Sequence, residues 1–126
     1  MVAGRGCPFR CEFCDIVALN GHVPRLKKVS QLIAELEDLR RSGWSGNIFL
    51  VDDNFIGNRK RVKELLRAII RWRRDTRAKL TFVTEASINL AADGDLLRLM
   101  TAAGFKKVFL GIETPDAESL EACAKF

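Results

Sequence analysis

The sequence predicts an α/β fold with one parallel sheet of about four strands and helices between them. Short apolar runs of strand length alternate with longer segments in which apolar residues recur every three or four positions. A strand, a helix and a second strand of the same sheet form a right-handed crossover, which sets the two strands parallel. The chain has 126 residues and no low-complexity linker, so we expect one domain over residues 1–126.

The first half of the chain carries a weak strand, a helix and a clear strand. Residues 2–5 fit the tail of a first strand that runs into a cysteine-rich loop. Residues 29–41 place apolar side chains on one helical stripe, with Ser30 as the expected N-cap and Gly43 just past the end. Residues 47–51, NIFLV, form a continuous apolar run, which is typical of a strand buried on both faces.

The second half continues the same alternation. Strands are predicted at residues 80–84 and 107–112. Each of three helices begins at a residue whose side chain can cap it, namely Asn58, Asp93 and Thr114. Gly104 ends the second of these helices, and Pro115 occupies the first turn of the third.

Composition and charge describe a globular chain. Hydrophobic residues make up 48%, charged residues 29%, and the net charge is +5. No apolar run approaches the roughly 18 residues of a membrane span, and no signal peptide is recognisable, so we expect the cytoplasm, where thiols stay reduced. Many basic residues fall within 58–79, opposite an apolar stripe, which fits a solvated helix face better than a nucleic-acid surface.

Acidic residues follow the predicted strands. They are Asp52, Asp53, Glu85 and Glu113. Parallel α/β folds bring the carboxyl ends of their strands to one edge, where they place their chemistry. We therefore expect these four acids and the cysteine-rich loop to surround one mouth of the fold.

Three of the four cysteines lie within eight residues, CPFRCEFC, at Cys7, Cys11 and Cys14. Gly6 and Pro8 argue against a regular helix, so an inert cysteine stripe does not explain the spacing. A [4Fe–4S] cluster held by three thiolates leaves its fourth iron open, which catalysis needs and a structural site lacks. The cluster is therefore the interpretation that the spacing favours.

Two other chemistries remain open for this loop. Structural zinc needs four ligands, so His22 or Cys123 would have to complete the site, although Cys123 between two alanines fits a small buried apolar residue. A redox dithiol at Cys11 and Cys14 would leave Cys7 without a role. A zinc- or cluster-binding interaction module without catalysis is thus the alternative to an enzyme.

The cysteine loop resembles that of the radical S-adenosylmethionine (SAM) superfamily. The match is the C-x3-C-x2-C spacing, with the aromatic Phe13 just before the last cysteine, after a first strand. The resemblance implies a partial (β/α)6 barrel of TIM-like type, with residues 1–126 forming part of the core domain. It also implies a [4Fe–4S] cluster on Cys7, Cys11 and Cys14, and reductive cleavage of SAM to a 5′-deoxyadenosyl radical.

The same resemblance implies cofactor-binding roles for five residues. Phe13 matches the aromatic residue that approaches the adenine of SAM. Asp52 and Asp53 stand where the family has a glycine-rich motif that contacts the methionine amino group, although both glycines are absent here. Glu85 and Glu113 match positions that face the ribose or the amino-acid end of SAM. No residue is assigned a catalytic role.

Three longer segments are similar to the cobalamin-binding-type branch of this superfamily. They are RGCPFRCEFCDI, GHVPRLK and LVDDNFIGN. That branch contains hopanoid methylases and the anaerobic ring cyclase of bacteriochlorophyll synthesis. It implies methylation of an unactivated carbon in a lipid or other small molecule, a reductant protein such as a flavodoxin or ferredoxin, and cobalamin held by a domain that this chain lacks. We expect the chain to be part of such an enzyme, able to bind a cluster alone but to turn over little substrate.

Overall fold

The computed structural model describes residues 1–125. Its strands are β1 (Gly4–Arg5), β2 (Arg25–Leu26), β3 (Asn47–Leu50), β4 (Thr81–Ser87) and β5 (Phe105–Gly111). Its helices are α1 (Ile16–Asn20), α2 (Val29–Arg41), α3 (Arg59–Thr76), α4 (Gly94–Ala103) and α5 (Ala117–Ala122), and a 3₁₀ turn covers Ile88–Ala92. No helix within residues 1–125 is both long enough and apolar enough to cross a membrane.

The three later strands form a parallel sheet in the order β3-β4-β5, which confirms the predicted α/β class. Leu50 lies opposite Thr84, and Thr84 lies opposite Val108. The strand β4 is longer than the predicted segment 80–84 and runs to Ser87, so Glu85 lies within a strand and not after one. Helices α3 and α4 provide the crossovers between these strands.

The prediction of about four parallel strands is wrong for the first of them. Strand β1 pairs with β2 in an antiparallel ribbon outside the parallel sheet. Before the cysteine loop, Met1 lies along β3: its amino group donates to the Phe49 carbonyl at 2.9 Å, and the Val51 N–H donates to the Met1 carbonyl at 2.9 Å. These two bonds have the parallel pattern, but the chain then turns away to close the cysteine loop.

One face of the sheet is covered by helices and the other is open. On β3, Ile48 and Leu50 are buried whereas Phe49 is 39% exposed, so the prediction of a strand buried on both faces is wrong. On the covered face, the predicted apolar stripe of α3 packs into the core. Its buried members include Val62, Leu65, Leu66, Ile69 and Trp72.

Two of the predicted N-caps are confirmed and two are wrong. The side chains of Asn58 and Asp93 accept hydrogen bonds from backbone N–H groups three residues later, at 3.2 and 3.0 Å. Helix α2 begins one residue before Ser30, because the Gln31 side chain accepts from the Lys28 N–H at 3.0 Å and fixes the start there. Helix α5 is capped by Asp116, whose carboxylate accepts from the Ser119 N–H at 2.9 Å, and Thr114 lies before the helix.

Candidate functional site

The cysteine loop lies between β1 and β2. At Gly6, the start of the loop lies close to its end at Gly21 and Val23. Gly6 has φ +94°, a conformation that side-chain-bearing residues rarely adopt. A β-carbon there would lie 2.9 Å from the carbonyl oxygens of Gly21 and Val23. The next N–H, that of Cys7, donates to the Gly21 carbonyl at 3.3 Å. A glycine at this position therefore allows the two ends of the loop to cross closely.

All three loop cysteines line one cavity of about 360 Å³ at the carboxyl ends of β4 and β5. Four further predicted site residues line the same cavity, namely Phe13, Asp53, Glu85 and Glu113. The expected gathering of acids and cysteines at one mouth is thus present in the structure for three of the four acids. Asp52 is the exception.

Asp52 points at backbone and does not line the cavity. Its side chain is buried, and Oδ1 accepts from the N–H groups of Ala3 at 2.7 Å and Gly4 at 3.0 Å. Burial raises the pKa of this carboxyl, although the bonds from Gly4 and Ala3 act in the opposite direction. The structure therefore places Asp52 as an anchor for the start of the cysteine loop, away from the position expected for a cofactor contact.

We expect the Asp52→Asn substitution to remove one pH-dependent contribution to the free energy of unfolding. Because the folded-state pKa is raised, folded Asp52 keeps a proton that the unfolded chain has lost, in the window between the ordinary value of about 3.9 and the raised pKa. The contribution of Asp52 to stability is therefore greatest below this window and falls as the pH rises through it. The asparagine variant has no such titration, so its free energy of unfolding rises relative to that of wild type as the pH rises through this window.

Urea unfolding from pH 3 to pH 8 measures this difference. Asp38→Asn removes one carboxylate from the exposed side of α2 and is the matched control. Identical pH profiles for the two variants would contradict the assignment of the effect to Asp52.

Asp53 lines the cavity and ties together both ends of the cysteine loop. Its Oδ2 accepts from the Gly6 N–H at 2.6 Å, before the cysteines, and from Asn20 Nδ2 at 3.0 Å, after them. Arg5 Nη1 lies 3.9 Å from Oδ1. Two adjacent acids thus hold different backbone groups of the segment that carries the cysteines.

Asn54 is a site residue that the sequence did not indicate. It is buried, and its Nδ2 lies 3.8 Å from Cys7 Sγ and 3.1 Å from Ser87 Oγ. The turn after β3 was visible in the sequence, but the partner Ser87 was not, because β4 was predicted to end at residue 84. The signal that could have found Asn54 is a third polar residue directly after the two acids.

Lys125 closes the far side of the cavity. Its Nζ lies 2.5 Å from Glu113 Oε1 and 5.7 Å from the centroid of the Phe13 ring. Glu113 has φ +63°, a strained conformation for a side-chain-bearing residue, at the point where the chain leaves β5. Burial raises the pKa of the Cys11 thiol, and the positive charge of Lys125 opposes that change.

Cys123 lies outside this cavity. It follows the last turn of α5 and is half-buried, so the prediction of a small buried residue within a helix is wrong. Its carbonyl accepts from the Glu12 N–H at 3.1 Å, which joins α5 to the cysteine loop through main-chain atoms only. His22 is exposed on the loop and does not line the cavity.

The donor set fits a cluster better than a single metal ion. Within residues 1–125, no three His, Cys, Asp or Glu side chains converge as ligands of one ion. Three thiols from one loop instead lie around a shared cavity, as expected for thiolates that bind different irons of one [4Fe–4S] cluster. The residues present therefore suit that group, and the structure gives no support to a zinc site completed by His22 or Cys123.

Family comparison agrees with this geometry. The family model described as the radical SAM superfamily matches residues 1–125. The chain belongs to the radical SAM superfamily. The resemblance based on the cysteine loop is thereby confirmed at the level of the family.

Curated relatives of this radical SAM chain include methyltransferases. An uncharacterized methyltransferase of Synechocystis sp. is 52% identical over 122 residues, which is 97% of this chain and 23% of that protein. The hopanoid C-2 methylase of Rhodopseudomonas palustris is 46% identical over 120 residues, 95% of this chain and 23% of that protein. The chain thus spans about a quarter of the length of these relatives.

Solved structures of radical SAM enzymes share the fold. The radical SAM methyltransferase TsrM from Kitasatospora setae, solved with tryptophan substrate and a SAM analog, superposes with a TM-score of 0.87 at 22% identity, covering 100% of this chain and 25% of that one. The cobalamin-dependent radical enzyme OxsB, solved with aqua-cobalamin and SAM, gives 0.82 at 21% identity and covers 98% of this chain and 19% of that one.

Proposed function

We propose that the chain is the cluster- and SAM-binding part of a radical SAM methyltransferase that acts on an apolar small molecule. The observation that carries this proposal is the shared cavity. It is lined by the three cysteines of the radical SAM motif and by acids at the carboxyl ends of parallel strands. Such strand ends are where α/β folds place their chemistry. The partial barrel implied by the family would be completed by segments beyond these three parallel strands.

Cys7, Cys11 and Cys14 are proposed to hold a [4Fe–4S] cluster and to leave one iron for SAM. When bound, such a cluster supplies the electron that cleaves SAM reductively. The loop provides three thiols and no fourth, which suits an open iron. Asp53 fixes the loop from both sides of these cysteines, so it keeps the ligand positions in place.

SAM is proposed to lie along the cavity from Phe13 to the strand ends. Phe13 is exposed at the rim and offers its ring to the adenine. Asp53, Glu85 and Glu113 can accept hydrogen bonds from the ribose hydroxyls or from the ammonium group of SAM. Lys125, which holds Glu113, would compensate the negative charge at this end of the cavity.

The exposed apolar side chains on the open face of the sheet favour the hypothesis of an apolar substrate. Phe49, Val51 and Phe109 are 39%, 42% and 59% exposed on this face, and the Phe49 and Phe109 rings are 6.0 Å apart. Phe109 also lines the cavity, so the apolar face continues from the cysteines. A hydrocarbon such as a hopanoid, the compound class named for one relative, would bury this surface.

The proposal also includes the partners that the family resemblance implies. Cobalamin would be held by a further domain of the enzyme and would carry the methyl group. A flavodoxin or ferredoxin would provide the electron, and the enzyme would work in the cytoplasm. These parts of the proposal rest on the family and on relatives much longer than this chain.

Anaerobic reconstitution with iron and sulfide tests the proposal. We expect about four irons per chain, and an electron paramagnetic resonance spectrum of the dithionite-reduced protein that changes when SAM is added, because SAM binds the open iron. A matched sample with adenosine, which lacks the amino-acid group of SAM, separates binding of SAM to the open iron from a general effect of nucleosides.

Two results would contradict the proposal and favour a non-catalytic module. One is a chain that takes up zinc and assembles no cluster. The other is a cluster whose spectrum is the same with and without SAM.

A further inference from the structure

The side chain of Asn54 joins a cysteine of the loop to the end of a strand. Asn54 is 7% exposed and lies 47 residues from Cys7 in sequence, yet its Nδ2 is 3.8 Å from Cys7 Sγ. The same nitrogen is 3.1 Å from Ser87 Oγ. The next residue is also fixed, because the Phe55 N–H donates to the Glu85 carbonyl at 3.1 Å.

The surrounding bonds decide which end of the Asn54 amide faces the sulfur. The Ser87 backbone N–H can only donate, and it lies 3.3 Å from Asn54 Oδ1. The Ser87 hydroxyl donates to Asn89 Oδ1 at 2.7 Å, which leaves its oxygen free to accept from Asn54 Nδ2. The Ser87 N–H requires Oδ1 on its side, and the hydroxyl contact is compatible with that orientation, so the NH₂ group is the end that faces Cys7.

We propose that Asn54 is a positioning residue that donates a hydrogen bond to the cluster-ligating sulfur of Cys7 and thereby raises the reduction potential of the cluster. This inference rests on the proposed function, because it needs a cluster on Cys7. Reduction adds negative charge that the ligand sulfurs share, so a donor to sulfur stabilises the reduced state more than the oxidised state. Burial strengthens the effect, because water does not compete for the amide.

The test is a redox titration of the reconstituted full chain, followed by electron paramagnetic resonance. Asn54→Asp has nearly the same shape but presents an oxygen and a negative charge to the sulfur. We expect the ratio of reduced to oxidised cluster at a fixed potential to fall at least tenfold, which is about 59 mV for a one-electron couple. Asn54→Leu removes the donor without adding charge, and we expect a smaller change in the same direction.

The matched control is Asn58→Asp. It introduces the same charge four residues away, outside the cavity lining, and aspartate caps α3 as well as asparagine does. We expect its potential to equal that of wild type. Far-UV circular dichroism verifies the fold of each variant, and Asn54→Leu decides the question if Asn54→Asp does not fold.

The failures of the two proposals are distinguishable. A wild-type chain that assembles no cluster overturns the proposed function. A wild-type cluster whose potential is matched by a folded Asn54 variant overturns the role of Asn54 and leaves the proposed function standing.

Discussion

Replacing any one of Cys7, Cys11 and Cys14 by alanine is expected to reduce bound iron from about four atoms per chain to less than one. The three thiols come from a single loop and line the same cavity. Since the described residues offer no fourth cysteine at this cavity, the loss of one thiolate leaves only two ligands for a cube of four irons. Iron and acid-labile sulfide analysis after anaerobic reconstitution gives the measurement.

Cys123→Ala is the matched control for these variants. Cys123 touches the loop through its main-chain carbonyl, which accepts from the Glu12 N–H, so the substitution removes a thiol and leaves that contact intact. We expect the iron content of this variant to equal that of wild type. If Cys123→Ala lost iron while Cys7→Ala kept it, the assignment of the cluster to the loop would be wrong.

Phe55→Ala is expected to lower the free energy of unfolding by about 3–5 kcal/mol. Phe55 is fully buried directly after the acidic turn, and its ring centroid lies 5.1 Å from that of Phe105. Phe105 in turn packs 5.2 Å from Phe82, so Phe55 completes a row of three aromatic rings under the sheet. A chain of this size has only about 5–15 kcal/mol of stability in total, so the variant should be close to unfolding at 37 °C.

Phe49→Ala removes the same group of atoms from the open face of the sheet and serves as the control. Phe49 is partly exposed, and its aromatic partner Phe109 is more exposed still, so we expect a loss of about 1 kcal/mol or less. Urea unfolding at pH 7 compares the two variants. Equal losses would mean that the open face is as well packed as the covered face, which would contradict the partial exposure of Phe49.

The sequence predicted those features that depend on local patterns. The stripe of α3 and the caps at Asn58 and Asp93 follow from helical periodicity and from the ability of a short polar side chain to accept a backbone N–H nearby. The cysteine spacing is likewise contained in eight residues. These features need no knowledge of distant parts of the chain.

Features that depend on distant contacts were missed or predicted wrongly. The pairing of β1 with β2 and the bond from Asn54 to Cys7 join segments about 20 and 47 residues apart. Apolar composition alone does not tell whether a strand has one face covered or two, which is why Phe49 was expected to be buried. Asp52 was predicted as a cofactor contact from the family resemblance alone, and its bonds to the N–H groups of Ala3 and Gly4, 49 and 48 residues away in sequence, were not visible there.

The antiparallel ribbon of β1 and β2 closes the cysteine loop. This loop contains Cys7, Cys11 and Cys14 but no residue of the hydrophobic core. No residue from 7 to 31 is fully buried, and the short helix α1 buries none of its side chains. The free energy needed to open such a segment is far smaller than that of global unfolding, because few apolar contacts are lost. We infer that the sheet and its helices can fold first and that the loop can still open afterwards. Iron and sulfide would then be inserted late, into a chain whose core is already formed.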